Sequence, residues 1–85
     1  MIDYLIVGNT LRDTMYCFDY MRRLLRDKIV RASQAQRTIE IDDMVLKFTS
    51  EEIYLRNDRY GNRAEVISCY YVERLLDMYR TLARI

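Results

Sequence analysis

Eighty-five residues make one domain with one small core, because a chain of this size hides only roughly 60–65% of the surface it exposes when unfolded. Half of the residues are apolar, which excludes disorder, and a net charge of +1 excludes the broad cationic field that drives non-specific nucleic-acid binding. Histidine is absent, which removes the commonest general base near neutral pH.

The chain opens with a run from Tyr4 to Val7 that is apolar on both faces. That pattern belongs to a strand covered on both sides or central in its sheet. Gly8-Asn9 breaks the run, and Thr10 is placed to cap a helix, with Asp13 favouring its positive end. A helix is expected from about Leu11 to Arg31. Its inner face is Leu11, Thr14, Phe18, Met21, Leu25 and Ile29, widened by Cys17 and Leu24. Its outer face carries Arg12, Asp13, Asp19, Arg23, Arg26 and Asp27, with Asp19 and Arg23 spaced as a favourable i,i+4 pair. Tyr16 falls in the middle of this charged face and Tyr20 at its edge.

Residues 33–36 are a polar link. Thr38-Ile39-Glu40-Ile41 alternates, Asp42-Asp43 supplies a turn, and Met44–Phe48 continues, which reads as a β-hairpin with Glu40 turned away from its apolar neighbours. Ser50-Glu51-Glu52 is read as the start of a short helical turn reaching about Leu55, with an edge strand at 53–55 as the alternative. Residues 56–63 form one clearly polar loop, and Asn62 with Glu65 has the spacing of a capping box. The last helix is then expected from about Arg63 to near the C-terminus. The order β-α-β-β-(short α)-α predicts an α+β two-layer sandwich: about three strands, one N-terminal and two in a hairpin, packed by two long helices.

The last helix carries two apolar stripes. One is Ala64, Ile67, Tyr71, Leu75, Met78 and Leu82; the other is Cys69, Val72, Leu76, Tyr79 and Ala83. A surface helix needs one such stripe, so a second implies a second burial partner. Val66 and Tyr70 lie toward its charged side, so the expected dimer seam is Val66, Cys69, Tyr70, Val72, Leu76, Tyr79 and Ala83. Two-fold homodimers are the commonest assembly. Cover by the first helix within one copy and cover by a different protein are the competing readings.

Two further surfaces have the chemistry of contact sites. One is the outer face of the first helix, with Arg12, Tyr16, Tyr20 and Arg23; the other is the loop with Arg56, Arg59, Tyr60 and Arg63. Tyr and Arg give large contact areas with a polar tip and are enriched at binding hot spots. Twelve of the fourteen basic residues are Arg, the better residue for forked bonds to carboxylate or phosphate. Against this, no residue set reads as catalytic. Cys17 has no base beside it, and Cys17 and Cys69 are too far apart in sequence for a zinc motif and read as buried thiols. Val7-Gly8-Asn9-Thr10 resembles the opening of nucleotide-binding α/β domains, but it lacks their glycine-rich and lysine-bearing signatures, and it reads as a plain turn and cap.

The expectation is a non-enzymatic, homodimeric module without cofactor or metal. It would bind a protein or nucleoprotein as an accessory factor or inhibitor. In general character, though by no motif, this suits the small inhibitors that phages direct at host defence nucleases. A small nucleic-acid-binding protein is the alternative. The sparse cysteines, with no signal peptide or long apolar run, predict a cytoplasmic protein without membrane contact.

Overall fold

The computed structural model describes residues 2–56 and 64–85, and these form a five-stranded mixed sheet with three helices. The elements are β1 (Tyr4–Gly8), α1 (Leu11–Leu24), a single 3-10 turn (Arg26–Lys28), β2 (Ile29–Ser33), β3 (Thr38–Ile41), β4 (Met44–Ser50), α2 (Glu51–Arg56), β5 (Glu65–Ser68) and α3 (Val72–Ala83). The sheet order is β2-β3-β4-β1-β5. β1 runs parallel to both neighbours, with Ile6 beside Phe48 of β4 and Ile67 of β5. β2, β3 and β4 form an antiparallel meander.

The local signals hold where they are strongest. β1 is central, as its two-sided apolar run requires. Thr10 caps α1, its side chain accepting from the Asp13 N–H at 3.1 Å. Asp42 and Asp43 turn the β3–β4 hairpin, with Asp42 in the left-handed region at φ 56°. The short helix after Ser50 is α2.

The expected count of about three strands under two long helices is wrong at both edges of the sheet. α1 stops at Leu24, and Ile29–Ser33 becomes a strand against the edge that β3 presents. Ile29 and Val30 are β-branched and fit a strand better than a last helical turn. The predicted last helix also loses its first half. Glu65–Ser68 is a strand on β1, and α3 starts only at Val72. A central strand needs backbone partners on both sides, and these residues supply the second set: the Glu65 N–H donates to the Asp3 carbonyl and the Cys69 N–H to that of Val7. Ile67 is buried either way, since it lies on the core face of a strand as it would on the stripe of a helix. The capping box proposed at Asn62 and Glu65 fails, because Glu65 is in β5; Asn62 lies outside the described residues. Asp19 pairs with Arg22 at 3.6 Å rather than with Arg23.

α1 and α3 cover one face of the sheet. Ile6, Ile39, Ile41, Leu46, Phe48 and Ile67 point to it and are sealed beneath Phe18, Met21, Leu25, Met78 and Leu82. Phe18 meets Phe48 edge-on, ring centres 5.4 Å apart at 88°. Gly8 allows α1 to lie this close: a Cβ there would stand 2.7 Å from Thr14 Oγ1 and 2.9 Å from the Thr14 nitrogen. The buried Thr14 hydroxyl is within reach of the carbonyls of Thr10 (2.8 Å) and Thr49 (3.1 Å). The β1–β2 and β4–β5 connections cross the sheet in opposite directions, so crossovers of one hand place α1 and α2 on opposite faces. α2 accordingly sits over the ends of β1 and β4, beside Val7, Val66 and Ser68.

Candidate functional site

Two surfaces that are far apart in sequence meet on one face. Tyr16, Cys17, Tyr20 and Leu24 come from α1, Val72, Leu75, Leu76 and Tyr79 from α3, and Cys69 and Tyr70 from the turn between β5 and α3. Between them runs an apolar groove of about 590 Å³, with Asp13 at one end. That volume falls within the range of ligand-sized clefts, roughly 300–1,000 Å³. The rim stays open: Tyr16 is 64% exposed, Tyr20 63%, Val72 62% and Leu76 45%. Leu75 and Tyr79, half-buried, join the groove to the core.

The helical periods explain the groove. On α1, Thr14, Phe18, Met21 and Leu25 point into the core, and Cys17, Tyr20 and Leu24 fall to one side of that stripe. On α3, Met78 and Leu82 are buried in the core, while Val72 and Leu76 line the groove and stay exposed. The two helices thus line the two sides of one open furrow.

One polar contact bridges the gap. The Tyr70 hydroxyl donates to the Asp13 carboxylate. This bond holds the tyrosine proton and pushes the phenol up to about 12, with desolvation adding to it. Burial raises the Cys17 thiol to about 12, with the nearby Cys69 sulfur adding to it. Cys69 is raised as well, by burial first and then by the Asp13 charge. Both cysteines are free and stay protonated near neutral pH, so neither has the thiolate of a nucleophile. Among the described residues no three His, Cys, Asp or Glu side chains come together to hold a metal, and no buried side-chain polar atom lacks a partner.

The predicted site residues divide. Tyr16 and Tyr20 share the groove with Cys69, Tyr70, Val72, Leu76 and Tyr79. Arg12 and Arg23 are on α1 but do not line the groove; the Arg12 guanidinium stands 6.0 Å from the ring centre of Tyr16, which does. Ala83 is exposed on α3 beyond the groove. Val66 does not belong with the other expected seam residues: it is on β5, beside Leu5, and its side chain points to the opposite face of the sheet. Cys69 and Tyr70 lie in a turn rather than on a helix. Arg56 ends α2 and is paired with Glu52 at 2.9 Å, away from the groove. Arg59, Tyr60 and Arg63 lie outside the described residues. Sequence reasoning missed Asp13 as the end of the groove, and no local signal reveals it. It also placed Leu24 with the core, although the helical wheel sets Leu24 between Cys17 and Tyr20, where the groove runs. No helix among the described residues is long and apolar enough to cross a membrane. Comparison with protein-family models, curated proteins and solved structures finds no match.

Proposed function

We propose that this protein is a non-enzymatic docking module that acts through protein–protein contacts, with the α1–α3 face as its working surface. One observation carries the reading: two sets of apolar and aromatic side chains, more than forty residues apart in sequence, converge on a single open groove. Monomeric proteins rarely expose one continuous apolar patch of this extent without a use for it. The residue types fit as well, since Tyr at the rim gives large contact area with few rotors to freeze. The accessory or inhibitory role expected of so small a chain follows if docking is its whole activity.

The test is capture from a native extract treated with nuclease, with wild-type protein and Leu76→Asp run side by side. A protein that survives nuclease and is lost with Leu76→Asp supports the reading. Nucleic acid as the captured species, released steeply by salt and indifferent to Leu76, would replace it with the nucleic-acid alternative.

A further inference from the structure

We propose that the occupant of the α1–α3 groove is a second copy of this chain, packed about a two-fold axis that sets the two α1 helices antiparallel. The inference rests on the docking reading above and names its partner.

Three observations lead to it. The first is area. Taking the fractional exposures of Tyr16, Tyr20, Leu24, Tyr70, Val72 and Leu76, these six residues together leave at most roughly 700 Å² in water, close to the ~800 Å² per partner of a standard interface. The second is net charge. At +1 per chain, two copies approach with almost no mutual repulsion. The third is the pattern on α1 itself. Its first turn carries Asp13 and its last turn Arg22 and Arg23. A two-fold axis crossing α1 at the level of Phe18 sets Tyr16 opposite Tyr20 of the second copy, and Asp13 opposite its Arg23. The helix dipoles then also lie antiparallel, each acidic, positive end beside a basic, negative end. A closed two-fold contact must be self-complementary, and this helix is so in both its aromatic and its charged positions.

The experiment is light scattering and sedimentation of the full chain over a roughly hundredfold concentration range, with circular dichroism to confirm the fold of each variant. The expected mass is twice the 10.4 kDa of one chain. Leu76→Asp is expected to give a folded monomer. Asp13→Arg and Arg23→Asp should each weaken pairing roughly tenfold or more, and the double reversal should recover it, because the like-charged contacts become opposite again. Should Leu76→Asp fail to fold, the charge reversals carry the test alone. Wild-type protein that stays monomeric throughout overturns the proposal. So does a dimer indifferent to Leu76 and to both reversals, or single losses that the double variant does not restore. A monomer that still captures a nuclease-resistant protein through Leu76 refutes self-pairing and leaves the docking reading intact.

Discussion

α1 and α3 share one face of the sheet but are held there by different means. α1 begins at a capped end, lies over Gly8 where nothing larger fits, and seals Thr14, Phe18 and Met21. α3 begins at Tyr71 without a side-chain cap and buries Met78 and Leu82, while Val72 and Leu76 stay open. The end of α3 is tied back by the Lys28 ammonium, which donates to the Ile85 carbonyl at 3.0 Å. The contrast separates the side chains that hold the fold from those left in solvent. α1 is buried along a broad stripe, whereas α3 is anchored by one narrow stripe and leaves the other open.

The largest effect that would break this division is at Phe18. Phe18→Ala removes a fully buried ring from its contact with Phe48 and should cost about 3–5 kcal/mol in urea denaturation. Tyr20→Ala, three-fifths exposed two residues on, should stay within about 0.5 kcal/mol when measured on the monomer. Equal costs would abolish the distinction between the two sides of α1. The same pairing applies to α3. Leu82→Ala should cost about 2–5 kcal/mol, and Leu76→Ala on the monomer less than about 1 kcal/mol.

Gly8→Ala tests how closely α1 is seated. The added methyl meets Thr14 backbone, which cannot swing aside, so a loss of about 1–3 kcal/mol is expected by thermal unfolding. Thr10→Ala should cost about 1 kcal/mol and speed amide exchange in the first turn of α1. α3 has no matching side chain to remove.

The smallest effect in energy is the sharpest in chemistry. With its thiol moved from 9.0 to about 12, Cys17 should alkylate at pH 8 on the order of a thousandfold more slowly than an exposed cysteine, as read by mass spectrometry. Urea should abolish the difference. The sign follows from linkage. A raised folded-state pKa gives stability that is complete below the unfolded pKa and is lost as pH rises through about 12.

The groove was half legible. Tyr16 and Tyr20 stand out among charges on α1, and Val72, Leu76 and Tyr79 form a stripe on the last helix whichever residue begins it. That the two sets face each other follows only from the sheet, which places α1 and α3 side by side. Val66 shows the opposite failure. Its assignment to the dimer seam assumed helix through residues 64–68, and in a strand the side-chain period of two sends it to the other face.

By itself the sequence determined the central strand, the Thr10 cap and the Asp42-Asp43 hairpin, and favoured the short helix at Glu51 over an edge strand, because each depends on neighbours within a few residues. Tertiary structure decided the two outer strands. Ile29–Ser33 and Glu65–Ser68 are short and apolar enough to continue a helix, and neither carries a glycine or proline to end one. What settles them is pairing: β3 and β1 each present a row of backbone groups that needs a partner, and only the folded sheet brings these segments within reach.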